Sequence, residues 1–242
     1  MEELITKFNE IKKKDWIIGK ATGRGNIGLT FEQELGIVQN DLELPDYNGI
    51  ELKTRGNFSR AYITLFNATF DGPNQLETKR LVNMYGYPDK IIDSVNVLNA
   101  KIYGNKLTLI GKKWKFKISV DYKKQKVFLN IYDKDNNFIE RERFWSFETL
   151  GLKLMRKDNI LALIEADKKK IDNVDYFKYH TLSIYKYNGF SVFLKLLEIG
   201  YIRVGIELGV YRKGRKYGQL YDHGIGFEIS RKNLENLYTK IY

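Results

Sequence analysis

No cysteine occurs among the 242 residues. Disulfides, thiol nucleophiles and cysteine zinc sites are thereby excluded, and the chain suits a reducing interior. The opening Met1-Glu2-Glu3-Leu4 is acidic and amphipathic, unlike a secretory leader. No apolar run is long enough to span a bilayer, so a membrane partner is not expected. There are no internal repeats and no low-complexity linkers. What is present is a 43 % hydrophobic chain with 41 Lys and Arg against 30 Asp and Glu, a formal net charge of +11. Such a chain is globular, and its excess positive charge attracts polyanions, of which nucleic acid is the commonest. A solvated lysine-rich surface is the bland alternative. The length allows one sizeable core, or two lobes sharing a sheet.

Helical spacing of Leu4, Ile5, Phe8 and Ile11 predicts an opening helix over 3–13, closed by Lys12, Lys13 and Lys14. Residues 20–29 form a basic, glycine-rich loop, and Thr30 is positioned to cap a second helix over Phe31–Val38. Strands are expected at Ile50–Thr54 and Ala61–Phe66, with a polar, turn-rich stretch over 71–90. Period-two patterns follow at Trp114–Val120 and Val127–Ile131, with a turn cluster at Asp133–Asn137. Ile160–Ile164 reads as a buried strand. Ser146 caps a helix over Phe147–Met155, and Gly189–Ile199 is a second apolar-faced helix. Val204, Ile206, Leu208 and Val210 alternate again. A basic loop over Arg212–Lys216 leads to a short strand near Gly224–Ser230 and a closing helix from about Lys232. The class is α+β with a mixed sheet.

The segment Pro45-Asp-Tyr-Asn-Gly-Ile-Glu-Leu-Lys53 carries the chemistry. Glu51 and Lys53 are two apart on a strand and share a face, and Asp46 can reach the same place from the preceding turn. Two carboxylates bind a hard divalent cation such as magnesium, and a neighbouring lysine can orient water. That is the minimum for metal-assisted phosphodiester hydrolysis. Two rivals match the same loose pattern. Asp121-Tyr-Lys123 has no acidic partner over 106–120. Asp167-Lys-Lys169 has Asp158 upstream, but those two carboxylates bracket an apolar run and are expected to cap its ends. Glu32 is a further candidate: a helix packed on the strand could aim it at the same metal, although a first-turn glutamate is also favoured by the helix dipole alone.

The ordered runs Gly25–Gly36, Leu44–Thr54 and Ile63–Phe66, with Phe144-Trp-Ser-Phe-Glu148, Gly209–Gly214 and Tyr221-Asp-His-Gly224, resemble the MvaI/BcnI type of restriction endonuclease. That type is similar to MutH-like nicking enzymes, and all share the PD-(D/E)xK nuclease core. The resemblance covers about residues 16–230. It implies a restriction-endonuclease-like mixed sheet flanked by helices, in two lobes around a DNA-binding cleft. The catalytic lobe is expected over 1–95, and a sheet-rich lobe over 96–242 with recognition elements at about 200–230. It further implies Glu32, Asp46, Glu51 and Lys53 as catalytic residues. Asp46, Glu51 and Leu52 are implied at the metal, which is Mg2+ with Mn2+ able to substitute. A monomer acting on double-stranded DNA in a prokaryotic cytoplasm is implied, together with a cognate DNA methyltransferase.

Base reading needs side chains that reach edges in the major groove. Glu207, Tyr211, Arg212, Lys213, Arg215, Lys216, Asp222 and His223 cluster around two strands and a loop, and Lys20 and Arg24 suit phosphates or the minor groove. His180 reads as structural or phosphate-facing. The chain departs from the MvaI branch where that branch reads DNA. Gly205 and Glu207 stand where an Asp and an Arg are expected, Tyr221 replaces a histidine, and Glu228 replaces an Arg. Glu207 and Glu228 could accept from cytosine amino groups. A type II restriction endonuclease is the leading reading. A strand-nicking repair enzyme of the same fold, or a basic DNA-binding protein without catalysis, are the alternatives.

Overall fold

A computed structural model describes residues 1–23, 25–37, 46–56, 62–72, 77–157 and 159–242. The chain forms two compact units, and neither is contiguous. One comprises Met1–Ala61, Met155–Asn188 and Tyr238–Tyr242; the other comprises Tyr62–Leu154 and Gly189–Leu237. The expected division near residue 95 differs from this because strands from the middle of the chain return to pair with the first quarter.

In the first unit, α1 (Glu2–Lys13) buries Leu4, Phe8 and Ile11, the stripe its helical spacing dictates. α2 (Asn26–Glu34) buries Phe31 beside them. The sheet runs β1 (Ile17–Ile18), β12 (Val174–Tyr187), β11 (Ile160–Ile171), β2 (Glu51–Gly56), and β15 (Tyr238–Lys240) pairs with β12. β2 lies parallel to β11, with Glu51 opposite Leu161 and Lys53 opposite Leu163. Leu161–Ile164 are all buried, as a parallel strand covered on both faces requires. The tight turn between β11 and β12 uses Asp172 and Asn173, both at positive φ.

The second unit holds two sheets. One runs β10 (Phe144–Ser146), β8 (Lys126–Asp133), β7 (Trp114–Asp121), β6 (Thr108–Ile110), with β9 (Phe138–Glu140) on β8. The other runs β3 (Ile63–Asn67), β14 (Leu220–Ile229), β13 (Ile202–Val210), β5 (Asn96–Ile102), β4 (Tyr87–Pro88). Its apolar face carries Leu98, Ala100, Ile102, Val204, Ile206 and Phe227 into the core, and α5 (Phe190–Glu198) buries Phe193, Leu194 and Leu197. Each fully buried side chain of this size contributes about 1.5–3 kcal/mol. Trp145 is wholly buried, and its indole N–H donates to the Ala68 carbonyl at 3.0 Å.

Several elements differ from the sequence reading. α2 begins at Asn26, so Thr30 lies inside it, where its hydroxyl donates to Asn26 Oδ1 and accepts from the Lys20 amide. Val38 lies outside the described residues. The stretch over 71–90 contains a helix, α3 (Glu77–Tyr85), which buries Leu81, Val82 and Tyr85. β11 runs well past Ile164, so Asp167 sits within a strand opposite Lys178 and caps nothing; Asp158 lies outside the described residues. β14 starts earlier than expected, at Leu220. The closing helix is only a 3-10 turn at Arg231–Asn233 and the single turn α6 (Leu234–Leu237) before β15. The other long helix, α4 (Phe147–Lys157), starts after Ser146, whose hydroxyl accepts from the Thr149 amide at 3.1 Å. Among the described residues no helix is long and apolar enough to cross a membrane.

Candidate active site and base-reading face

Asn48 and Gly49, at φ 46° and 80°, form a tight turn closed by two hydrogen bonds between Tyr47 and Ile50. Consecutive positive φ values define this turn type, and Asn-Gly is its favoured pair. The turn folds Asp46 back along β2, where its Oδ2 accepts from the Leu52 amide at 2.9 Å. Glu3 fastens the turn to α1 by accepting from the Tyr47 hydroxyl at 2.8 Å and from the Asn48 amide group at 3.2 Å.

On β2, Glu51 is 3 % exposed and its Oε1 accepts from the Lys53 ammonium at 2.5 Å. Its Oε2 is buried and has no partner among the described residues. A buried, unpartnered carboxylate oxygen costs free energy unless something satisfies it. A hard cation suits that oxygen, and magnesium is commonly held by one or two carboxylates completed by substrate phosphate and water. The Asp46 and Glu51 donors fit such an ion. Among the described residues no three Asp, Glu, His or Cys side chains gather as a metal cage.

Glu32 reaches the strand from α2. A methyl group built on Gly28 would lie 3.1 Å from Thr54 Oγ1 and 3.7 Å from Glu32 Oε1, so the end of the glutamate lies on the face of α2 turned towards β2. The helix is held by Tyr179, whose hydroxyl donates to the Ile27 carbonyl at 2.7 Å and whose ring packs 5.0 Å from Phe31. Burial, and then the charges of Glu34 and Glu32, push the Tyr179 phenol pKa up. It therefore stays a hydrogen-bond donor at neutral pH. Lys20 lies beside the same helix, with its ammonium 3.8 Å from Glu34. Arg24 and Pro45 lie outside the described residues.

The rival motifs have other employment. Asp121 accepts from the Lys124 amide and from Arg141, and these contacts, the amide first, lower its pKa. Asp167 stands 3.8 Å from His180 Nε2, while His180 Nδ1 meets Thr181 Oγ1 at 2.8 Å.

The expected base-reading residues lie on or between β13 and β14. The Tyr221 ring lies over Gly209, where an added Cβ would come within 2.4 Å of its hydroxyl, and it packs 4.4 Å from the His223 ring. Asp222 Oδ1 accepts from the Gly224 amide at 2.7 Å, across the bulge in β14 where His223 is exposed. Tyr211 meets Tyr221 edge-on, and Lys216 lies over the Tyr211 ring. Lys213 and Arg215 are exposed. Arg212 is clasped by buried Asp89, with Nη2 at 2.5 Å from Oδ2 and Nε at 3.2 Å from Oδ1. The Arg212 contact, with the Ile91 and Ile92 amides, holds Asp89 well below the usual carboxylate range.

Glu228 cannot act as an open acceptor. Arg203 donates to its Oε2 through Nε at 2.8 Å, and Lys101 donates to its Oε1 at 2.8 Å. Lys101 also donates to Glu207 at 2.8 Å. Burial opposes the Lys101 charge, but the two carboxylates outweigh it and raise its pKa. Arg203 stacks on the Tyr62 ring at 3.3 Å. Sequence reasoning missed Lys101, Arg203 and Tyr62. Their partners lie about 25 to 140 positions away in the chain, and only the strand register brings them together.

A family model described as the MvaI/BcnI restriction endonuclease family matches residues 5–238. Among solved structures, a complex of restriction endonuclease MvaI with its cognate DNA substrate is similar at 29 % identity and TM-score 0.89 over 98 % of this chain and 95 % of that one. MvaI in the absence of DNA is similar at 28 % identity and TM-score 0.63, over 99 % of this chain and 95 % of that one. No curated protein sequence matches significantly.

Proposed function

The chain belongs to the MvaI/BcnI restriction endonuclease family, and from that premise we propose a magnesium-dependent hydrolysis of phosphodiester bonds at a short sequence in double-stranded DNA. The observation that carries the metal assignment is the buried, unpartnered Oε2 of Glu51 beside Lys53. Asp46 and Glu51 would hold the ion, with the main chain at Leu52 beside them, and Mn2+ would substitute. Bound there, the cation offsets the charge that develops on the attacked phosphate.

Lys53 supplies a donor fixed on a strand, able to orient a water for in-line attack and to stabilise charge as it forms. Asp46, locked to the Leu52 amide, keeps its second oxygen directed by the turn. Glu32, carried on α2 beside β2, would complete the acidic cluster with Asp46 and Glu51. The unit containing β2 is the cutting unit, and the unit containing β13 and β14 reads bases. Lys20 and the loop over Arg212–Lys216 meet the DNA backbone, with Arg212 braced by Asp89. The enzyme acts as a cytoplasmic monomer, and its host carries a methyltransferase that protects the same sequence.

Supercoiled plasmid with magnesium should yield discrete double-strand fragments. Lys53→Ala should lower the rate at least about 100-fold, the loss typical of removing one charge-stabilising donor, while DNA binding persists. Cutting by Lys53→Ala at the wild-type rate would remove the proposed site. Nicks without linear product would favour the strand-nicking alternative.

A further inference from the structure

The exposed face of the β3-β14-β13-β5 sheet has an unusual centre. Asn67, Gly226, Gly205 and Lys101 stand in one row across four strands. Two adjacent glycines leave a depression in the middle of a sheet face. The hollow is filled from both sides: a Cβ on Gly205 would lie 2.5 Å from Glu228 Oε1 and 2.7 Å from Lys101 Nζ. Glycine at 205 thus leaves the room that the ion pair crossing it occupies.

The cluster has a direction. Glu228 is buried, and both its oxygens are engaged, by Lys101 and by Arg203. Lys101 is 34 % exposed and Glu207 is 49 % exposed. An ammonium has three N–H donors, and two of Lys101's are used by Glu207 and Glu228. The face thus presents a fixed donor next to a fixed acceptor, on a rigid sheet rather than on a loop.

We propose that Lys101 and Glu207 together read one G·C pair in the major groove, Lys101 donating to guanine and Glu207 accepting from the cytosine amino group, with Glu228 as the positioning residue. In the major groove guanine shows the N7 and O6 acceptors, and its partner shows the N4 amino donor beside them. Lys101 has one N–H left for guanine N7. At an A·T pair Glu207 would meet the thymine O4 acceptor and methyl where cytosine shows its amino donor, and this mismatch selects G·C. The ammonium is charged at any working pH because its carboxylate partners raise its pKa. This inference rests on the endonuclease reading and names the residues that select its target.

The test begins with wild-type protein, plasmid and magnesium. Absence of discrete fragments there would defeat the endonuclease reading itself, apart from Lys101. With the cut site mapped, oligonucleotide duplexes carrying 7-deazaguanine at each guanine in turn are cleaved by wild type, Lys101→Met and Lys101→Arg. One analogue position should slow wild type about 5- to 150-fold, the discrimination of a single good base contact. Lys101→Met should show a similar loss on normal DNA and no further loss with that analogue, as expected for two deletions of one interaction. Lys101→Arg, which keeps the charge and the donors, should recover part of the rate. The proposal is overturned if Lys101→Met keeps the wild-type rate and site preference. It is equally overturned if the losses from the variant and from every analogue position multiply independently. If Lys101→Met fails to fold, Lys101→Arg, which keeps the charge beside Glu228, carries the comparison: an analogue effect in Lys101→Arg identical to that in wild type at every position, with an unchanged rate on normal DNA, overturns the proposal.

Discussion

Replacing Glu51 by Gln separates the metal-holding role of the side chain from its part in the fold. In the folded protein one carboxylate oxygen pairs with Lys53 and the other is buried without a partner among the described residues. Lys53 is 29 % exposed, so its side of the pair is partly solvated, and the Gln side-chain oxygen can still accept from the ammonium. An unsatisfied buried group costs about 1–3 kcal/mol, and more when charged. Converting the carboxylate to an amide removes the charge from the buried position. Without metal, the Gln variant should therefore melt no lower than wild type. Metal reverses the order. An ion that binds only the folded state at 100 times its Kd stabilises by about 2.7 kcal/mol. At roughly 2–4 °C per kcal/mol for a chain of this size, the wild-type Tm should rise by about 5–11 °C if the chain melts in one transition. Glu51→Gln should show almost none of that rise. Thermal melts with magnesium titrated from zero, read by fluorescence with no DNA present, give both numbers. An equal metal-induced shift in the two proteins would refute the assignment of Glu51 as ligand, and a variant melting far below wild type without metal would refute the account of its buried oxygen.

Trp145→Phe keeps most of the ring packing but strands the Ala68 carbonyl, which should lower stability by about 1–3 kcal/mol in urea unfolding; an unchanged midpoint would show that the indole bond contributes nothing. The Asp89 pKa is depressed in the fold, chiefly by Arg212, so its stabilising contribution is complete above the unfolded value of about 3.9 and is lost as pH falls through the lower folded value. Wild type should therefore lose its advantage over Asp89→Asn only in strongly acidic buffer, and a difference that fades near neutrality would contradict the clasp. Gly205→Ala inserts a methyl into the space of the Lys101–Glu228 pair and should cost about 1–3 kcal/mol, as overpacking does. A neutral effect in the same unfolding assay would mean that the pair moves aside freely.

How far sequence alone reached is clearest by comparing β2 with β13. The Asn48-Gly49 pair forces a tight turn wherever it sits between strand-forming residues, and alternation then puts Glu51 and Lys53 on one face. The segment proposed to cut is thus local chemistry over eight positions, and in the fold Asp46 bonds to the Leu52 amide. The long runs of β7, β8 and β13 were legible for the same reason, because their large apolar residues recur at every second position, although in β8 the residues between them are buried too. α3 was not, because its apolar positions Leu81, Val82 and Tyr85 lie among polar and glycine residues that read as turns. The extent of β11 escaped as well. Its second half is polar, and cross-strand pairing with β12 holds it extended.

The face proposed to read bases depends on long-range register. Nothing near Gly205 in the chain announces that Lys101 will lie opposite it, or that Glu228 will be consumed by Arg203. Composition, the β2 motif and the ordered family runs determined that this is a basic, cysteine-free member of a restriction endonuclease family, and they single out the residues proposed to cut. Which charged side chains pair with one another on the β13–β14 sheet was decided only by tertiary pairing, because an ion pair between residues more than a hundred positions apart has no local signature.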